Sequence, residues 1–526
     1  MSKIVIILSL AYLLFFNNLG GIDLWDPDEP RQAIMAREMM ERGDYIHPYL
    51  NGQPYLEKPP AYPWMIIAAA RLKGRLDEFT SRIPAAVSAT LLLLITYSLG
   101  TMLVDRQCGL LSAIILATNY QFLSIARESV MDMSFALFIG LTIYLNYIAI
   151  RKDRISMFVL SFIPASIGIL TKGPAGLAIP GITTFFYLIS QKKLKRFIIP
   201  LVAACIISAG LASIWFFLAG EEYFREFIFR QNITRYTHAF DHIESSLYYF
   251  HKLFFNFLPW SLILPFAIFY AFKKRMWLPL IWFVGTFMFY ELSKSKRAIY
   301  LLSLYPACGL LCGIYIKDRW SWMIKTGWTR FALLFFMVIL MLLPVASVFS
   351  FDFIPPPIIT ELKKRLPLFY LFDSVIFVTG LIQVYLLIRK KEKGVLTAFI
   401  VYLSILGLFY NAFYLPLMDR TLKSPRLITD RLKGIERGRE IYTYGFLSAG
   451  IIFYTGRPIK ELRDIKEIKD KKNDILLIVK DEDMPASMER ELNKGFCMVG
   501  KARYEKDRYT FYVKKNKQQM AINCLW

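Results

Sequence analysis

Residues 20–60 hold the side chains with the clearest potential for chemistry. Asp26, Asp28 and Glu29 place three carboxylates within four positions, and Glu57 and Lys58 stand just before two prolines. Carboxylates at the start of a helix can serve only as caps and dipole partners, worth about 0.5 to 2 kcal/mol. Three of them exceed what capping needs. We therefore interpret Asp28 as a spare carboxylate.

The sequence around these carboxylates predicts two short helices. Asp26 matches an N-cap, Pro27 a first-turn proline and Glu29 the acidic third position of a capping box, so a helix is expected to begin there. Its apolar face is expected to comprise Met35, Ala36, Met39 and Met40, with Ile34 as an exception. Such an amphipathic juxtamembrane helix can lie along the membrane surface. A second one is expected after Lys58.

The composition indicates a polytopic membrane protein. Of 526 residues, 56% are hydrophobic and 16% aromatic, which argues against a water-soluble domain and against a soluble basic nucleic-acid binder. About twenty helical residues span the bilayer core. Thirteen apolar segments have roughly this length: 3–19, 80–104, 108–126, 132–150, 155–170, 174–190, 196–219, 256–272, 276–292, 298–316, 331–350, 369–388 and 395–415.

The charge distribution predicts the orientation of these spans. The chain has 64 basic and 41 acidic residues, a net charge of +23. If the N-terminus is cytoplasmic and 3–19 is an uncleaved first span, the inner loops obey the positive-inside rule. The basic inner loops are 151–154, 192–196, 273–275, 317–330 and 389–393. Thirteen spans then place the C-terminus on the outer side of a cytoplasmic (inner) membrane.

Several basic residues violate this rule on the outer side: Arg31, Arg37, Lys58, Arg127, Lys172, Lys294, Lys296 and Arg297. Each one taken singly is explained by snorkelling to lipid headgroups. Several around one cavity would instead suit a phosphate-bearing lipid.

The C-terminal residues 416–526 are predicted to form a small extracytoplasmic α/β domain, distinct from a transmembrane domain of 1–415 with its first outer loop at 20–79. Short strand-like runs such as EIYTYGF and NDILLIVK alternate there with charged helical ones. The six cysteines show no CxxC pair and no histidines at metal spacing. Neither a zinc module nor a disulfide framework is therefore expected.

Six motifs in order resemble the C-type (GT-C) membrane glycosyltransferases, which use a polyprenyl-phosphate sugar. They are LWDPDEPRQAIMAREMMERGDYIHPYLNGQPYLEKPP, ARESVMDMSFALF, ILTKGPAGLAIPG, ITRYTHAFDHIESSLYYF, LPWSL and SKSKRAIYLLSLYPA. The chain is similar above all to the lipid A aminoarabinose transferases and, more distantly, to the protein O-mannosyltransferases. The resemblance implies a GT-C fold and a membrane enzyme, expected to act as a monomer among membrane lipids. Its expected substrates are a polyprenyl-phosphate-linked sugar and a lipid or protein acceptor.

The resemblance also implies roles for individual residues. Asp28, Glu29 and Asp132 take the catalytic positions. The positions that hold the lipid phosphate are taken by Arg31, Lys58, Lys172, Lys296 and Arg297. Fixed cations would stabilise the negative charge that gathers on the phosphate as its bond to the sugar lengthens. For Asp132, pairing with Arg127 would be a sufficient structural reason for a carboxylate within a span.

A divalent metal ion, of which zinc is one candidate, is implied at Glu57 and His242, with His238 as a rival histidine. Two protein ligands leave such a site incomplete unless water or phosphate completes it, so a structural role for the ion is also open. Gln231 and Asn232 replace a Glu-His pair that is frequent in the aminoarabinose transferases. The identity of the sugar is therefore left open.

Two other classes of function compete with the glycosyltransferase. A transporter or flippase for a lipid-linked sugar or its carrier would also need outer basic residues, although transporters often show internal repeats with matching broken spans, and the sequence shows no such symmetry. A non-catalytic scaffold could keep the fold and bind a phospholipid. Such a scaffold would not need Asp28.

Overall fold

The computed structural model describes residues 3–238, 241–349, 356–469, 471 and 474–514. Each of the thirteen predicted apolar segments contains helix. These helices are Lys3–Ala11 with the π-helical turn Tyr12–Phe16, Glu78–Leu103, Arg106–Ala117, Asp132–Lys152, Ile155–Leu160 with Ile163–Lys172, Ala175–Ser190, Leu194–Ala219, Leu264–Lys273, Trp277–Glu291, Tyr305–Lys325, Gly327–Phe349, Leu366–Ile388 and Glu392–Phe409.

Seven helical segments in the described residues are long and apolar enough to cross a membrane. They are Glu78–Leu103, Asp132–Lys152, Ile155–Lys172, Leu194–Ala219, Ala298–Lys325, Leu366–Ile388 and Glu392–Lys423. The protein is therefore mostly helical and passes the membrane several times. The count of thirteen spans stays a prediction.

Shorter helical pieces connect these helices and build the outer parts. The α-helices among them are Asp28–Arg42, Ala61–Lys73, Tyr120–Ile125, Glu221–Phe224, Arg235–Thr237, Tyr248–Asn256, Pro356–Lys363, Leu415–Met418, Arg426–Leu432, Ala449–Thr455, Lys466–Lys469 and Ala486–Gly495. The π-helical and 3-10 pieces are Arg225–Thr234, Trp260–Leu262, Ala298–Leu304, Tyr410–Tyr414, Asp419–Lys423 and Asp481–Asp483.

Small residues let the central helices approach closely. A Cβ atom on Gly100 would lie 2.8 Å from the Cα of Gly109, and one on Gly309 would lie 2.9 Å from the carbonyl oxygen of Ser112. Lipid gives helices no hydrophobic reason to associate, so close van der Waals packing at small residues must hold them together. The Arg106–Ala117 helix therefore packs closely against both the Glu78–Leu103 and the Tyr305–Lys325 helices.

The first-loop helix, Asp28–Arg42, differs from its prediction in its first residue and in the protein layers that it packs against. It begins at Asp28 with Pro27 as its N-cap and no capping side chain, so the expected capping role of Asp26 is wrong. Ala36 and Met39 pack against the Ala61–Lys73 helix, while Ile34 packs into the C-terminal core. The helix lies between two layers of protein, which explains why Ile34 departs from the apolar face.

The C-terminal region folds as a five-stranded mixed sheet with helices. After the short hairpin β1 (Tyr49–Leu50) and β2 (Gln53–Pro54), its strands are β3 (Glu440–Tyr444), β4 (Ile459–Leu462), β5 (Ile475–Lys480), β6 (Phe496–Tyr504) and β7 (Asp507–Lys514), in the order β4-β3-β5-β7-β6. β3 pairs in parallel with β4 and β5, and the β5–β7 and β7–β6 pairs are antiparallel. Alternate residues of β5 enter cores on opposite faces of the sheet. The domain boundary at 415/416 stays a prediction.

Cysteine usage departs from the sequence expectation at one position. Cys497, on β6, is disulfide-bonded, although no disulfide was expected from the cysteine spacing. Cys108, Cys205, Cys308 and Cys312 are free thiols.

Candidate active site

A cavity of about 300 Å³ lies between the first loop, the ends of neighbouring helices and the 231–237 segment. Three cationic side chains line it: Lys58, Lys172 and Arg235. Aromatic and neutral polar groups complete the wall, among them Phe135, Gln231, Asn232, Tyr236, Phe289, Tyr290, Ser293, Ser295 and Tyr300. A cavity with this lining can receive an anion joined to a polar group with hydroxyls.

Lys172 is held by two contacts at the end of its helix. Its ammonium forms an ion pair with Asp132 and lies 4.3 Å from the centroid of the Tyr300 ring. Asp132 therefore pairs with Lys172 and not with Arg127, whose pairing was the structural alternative to a catalytic role; the catalytic role of Asp132 stays a prediction. Arg127 instead donates hydrogen bonds to the carbonyl oxygens of Leu14 and Phe15, at 3.2 and 3.0 Å.

Gly173 allows the chain to turn immediately after Lys172. Its φ of +120° is open to glycine but not to residues with a Cβ, and a Cβ there would lie 2.5 Å from Oδ1 of Asn232. Asn232 in turn donates a 2.7 Å hydrogen bond to the carbonyl oxygen of Phe227. The TKGP motif thus places Lys172 and the 231–237 segment against the same cavity.

Lys58 enters the cavity without a hydrogen-bond partner among the described residues. Burial, together with the nearby cations of Lys172 and Arg235, lowers the pKa of Lys58 to about 8. The ammonium is therefore mostly protonated at neutral pH, yet it is destabilised where it lies. A bound anion would relieve that destabilisation.

Asp28 is exposed enough to meet a substrate. Its side chain is 36% accessible and forms ion pairs with Arg31 at 3.3 Å and Arg297 at 3.0 Å. As the first residue of its helix it also faces the positive end of the helix dipole. Arg297 lies within electrostatic range of both Asp28 and Asp132, so it connects this carboxylate to the cavity.

Glu29 lies in a buried ion pair instead of the cavity. Its two oxygens accept hydrogen bonds from Nε and Nη2 of Arg82, both at 2.7 Å, and from the backbone N–H groups of Trp25 and Ser129. Arg82 also donates to the carbonyl oxygens of Leu19, Ile22 and Asp23. These contacts anchor the first loop to the Glu78–Leu103 helix. They give Glu29 a structural role, and its predicted catalytic role is not supported by this position.

Lys296 and Arg297 are neighbours with different surroundings. Lys296 is buried, pairs with Glu291 at 2.7 Å and donates to the carbonyl oxygen of Ser245, and it is absent from the cavity wall. Its predicted contact with a phosphate is therefore not supported by its position. Arg297 does not line the cavity either, but its ion pair with Asp28 and its proximity to Asp132 place it near the site.

The implied metal ligands do not assemble a complete donor set. Glu57 is exposed and accepts a 3.0 Å hydrogen bond from Tyr55, His242 is exposed, and the ring of the rival His238 contacts Thr237. Among the residues that the structure describes, no group of three or more histidine, cysteine, aspartate or glutamate side chains could hold an ion. The residues present do not fit a protein-enclosed metal site, and the ion stays a prediction.

Sequence reasoning missed Arg235. It lines the cavity and forms a two-pronged ion pair with Asp241, at 2.8 and 2.6 Å. The residue lies within the motif ITRYTHAFDHIESSLYYF, on the predicted outer side, where one more basic residue against the positive-inside rule was a usable signal. Tyr300, whose ring contacts Lys172, also lines the cavity.

Comparisons with known proteins show what the chain is similar to. A family model described as dolichyl-phosphate-mannose-protein mannosyltransferase matches residues 57–216. An uncharacterized protein of Aquifex aeolicus is 28% identical over 89% of each chain. The undecaprenyl phosphate-alpha-4-amino-4-deoxy-L-arabinose arabinosyl transferase of Pectobacterium carotovorum is 28% identical over 60% of this chain and 59% of its own length. The chain thus spans about three-fifths of that transferase.

The fold is shared over nearly the whole chain with a solved structure. ArnT from Cupriavidus metallidurans, crystallised with undecaprenyl phosphate, superimposes with a TM-score of 0.77 at 19% identity, covering 98% of both chains. The chain therefore shares the mostly helical fold of that structure. By its family match, its relatives and its fold, this chain is similar to the protein mannosyltransferases and the aminoarabinose transferases.

Proposed function

We propose that the protein is a glycosyltransferase that moves a sugar from a polyprenyl phosphate to a lipid or protein acceptor. One observation carries the proposal: Asp28, an accessible carboxylate, lies beside a cavity in which Lys58 has no described partner. A scaffold that only binds a phospholipid would need the cations but not the carboxylate. A donor phosphate and an acceptor hydroxyl together account for both.

The reaction follows from the charges of this site. The bond between the anomeric carbon and the phosphate oxygen breaks, and its electron pair goes to the phosphate. Lys58 and Arg297 would stabilise that charge as it develops, while Lys172, already paired with Asp132, shapes the wall. The acceptor oxygen forms the new bond to the anomeric carbon, and its proton passes to Asp28. The products are the glycosylated acceptor and the polyprenyl phosphate.

The proposal includes the predicted orientation: thirteen spans, a cytoplasmic N-terminus and an extracytoplasmic C-terminal domain in the inner membrane. The disulfide at Cys497 supports an oxidising compartment for that domain. The basic loops predicted for the inner side support the same orientation. Transfer would then take place at the outer face, where polyprenyl carriers and acceptors are both accessible.

The purified protein, supplied with a panel of polyprenyl-phosphate sugars and acceptors, tests the proposal by mass spectrometry of the products. Asp28→Asn and Lys58→Ala should abolish transfer while leaving the protein folded. Glu41→Gln is a matched control, because Glu41 lies on the same helix and its side chain is 66% exposed. Wild-type rates in both site variants would refute the assignment.

A further inference from the structure

Asp26 connects the first loop to the C-terminal domain. Its carboxylate accepts hydrogen bonds from Oγ of Ser448 at 2.5 Å, from the backbone N–H of Gly450 at 2.7 Å and from Oη of Tyr504 at 3.0 Å. All three donors belong to the C-terminal domain. Three donors converging on one carboxylate fix its position more firmly than a single surface contact would.

Further contacts join the two parts around this point. Asp23 pairs with Arg426 at 2.9 Å, and Arg37 donates a 3.0 Å hydrogen bond to the carbonyl oxygen of Phe453. The side chain of Asn51 exchanges two hydrogen bonds with the backbone of Ile459, at the start of the edge strand β4. The first loop is therefore bound to the C-terminal domain both before and after Asp28.

The C-terminal domain does not itself reach the cavity. None of the described residues in the cavity wall follows Tyr300 in the chain, and the ion-pair partners of Asp28 are Arg31 and Arg297. Any influence of the domain on the reaction must therefore pass through the loop. Hydrogen bonds to a residue close to Asp28 in the chain are the shortest route.

Asp28 lies between two anchored neighbours. On one side, Pro27, whose ring restricts φ, separates it from Asp26. On the other, Glu29 is tied to Arg82 in the membrane helices. Asp28 is thus carried by a short stretch of backbone that is fixed at one end to the C-terminal domain and at the other to the transmembrane domain.

We propose that Asp26 is a positioning residue through which the C-terminal domain sets the place of Asp28 over the cavity. The inference rests on the proposed function, because the position of Asp28 matters only if Asp28 takes part in transfer. It assigns the C-terminal domain a role in turnover without any contact between that domain and the substrate.

The test compares Asp26→Asn with Tyr504→Phe, their double variant and Asn51→Gly. Asn51→Gly is the matched control: it removes two hydrogen bonds from the same interface, and glycine tolerates the φ of +56° found there. A misplacement of Asp28 should lower kcat of Asp26→Asn about 10- to 100-fold while KM for the donor stays near the wild-type value. Tyr504→Phe should lower kcat less, and the double variant should match Asp26→Asn, because both substitutions remove the same interaction.

Hydrogen exchange over residues 27–33 reports positioning independently of activity. Exchange should be faster in Asp26→Asn than in wild type and unchanged in Asn51→Gly. The inference is overturned if Asp26→Asn leaves kcat and exchange unchanged, or if Asn51→Gly lowers kcat as strongly. If Asp26→Asn does not fold, kcat and hydrogen exchange of Tyr504→Phe test the inference in its place. A wild-type protein that uses no donor refutes the proposed function itself, and exchange then still shows whether Asp26 fixes the loop.

Discussion

Glu29→Gln should separate the structural carboxylate of the DPDE motif from the catalytic one. The side chains of Arg82 and Glu29 are 2% and 6% exposed and share two hydrogen bonds of 2.7 Å. Removing one partner of a buried pair leaves a buried charge uncompensated and costs about 3 to 5 kcal/mol. Arg82 keeps three backbone carbonyl acceptors in the variant, which favours the lower part of that range.

Asp28→Asn provides the contrast on the same helix. The Asp28 side chain is 36% exposed and its arginine partners are 32% and 39% exposed. Water screens such pairs, so their loss should cost about 0 to 1 kcal/mol. Asp28→Asn should therefore unfold near the wild-type temperature and lack transfer activity, whereas Glu29→Gln should unfold at a clearly lower temperature.

Thermal unfolding in detergent, followed by tryptophan fluorescence, measures both variants, and transfer is measured per folded molecule below the transition. The double variant Glu29→Leu with Arg82→Met should regain part of the lost stability, since an apolar pair of similar volume often replaces a buried ion pair at little cost. A Glu29→Gln protein as stable as wild type but inactive would refute the structural role and return Glu29 to the catalytic set.

Three further predictions concern the cavity and its surroundings. Because the pKa of Lys58 is about 8, its charge is lost as the pH rises through that value. In wild type, KM for the donor should therefore increase above about pH 8, and in Lys58→Met KM should not depend on pH in this way. An identical pH profile in both proteins would contradict the role of Lys58. Gly173→Ala should cost about 1 to 3 kcal/mol through backbone strain and lower transfer by displacing Asn232; unchanged stability and rate would show that the turn tolerates a Cβ. Elemental analysis of wild type, Glu57→Ala and His242→Ala tests the ion that the resemblance implies. Because the described residues form no complete donor set, equal occupancy in all three proteins is expected; lower occupancy in both variants would identify these residues as ligands.

The sequence predicted where helices occur better than it predicted which charges meet. Apolar runs of spanning length reveal helices through hydropathy alone, and helix was found at every predicted segment. Ion pairs depend on which helices become neighbours, so Asp132 could be assigned to the nearby Arg127 when its partner is Lys172, forty positions further on. Glu291 was not considered for Lys296 for a similar reason.

Local signals also failed where the tertiary structure uses a residue for another purpose. Asp26 has the spacing of an N-cap, but its carboxylate is bound by three donors from the C-terminal domain. The structure brings Lys58 and Lys172, which the motif resemblance singled out, to one cavity and places Asp28 near it, and the roles of all three stay predictions. The resemblance could not distinguish Glu29 and Lys296, whose side chains form ion pairs away from the cavity, from the residues that lie at or near it. A motif shows which residues are close in the chain but not where each side chain points.

The position of Ile34 has a consequence for how the protein unfolds. Its side chain, on the first-loop helix, completes an apolar core otherwise made by the C-terminal domain, with Ile428 and Ile451 among its members, while Ala36 and Met39 of the same helix pack on the transmembrane side. One helix therefore belongs to two cores, and neither core is whole without it. The two domains should melt in a single cooperative transition. The predicted boundary at residues 415/416 therefore does not separate two independent cores. In a protein cut there, Ile34 would lose its apolar partners and the C-terminal core would lose Ile34.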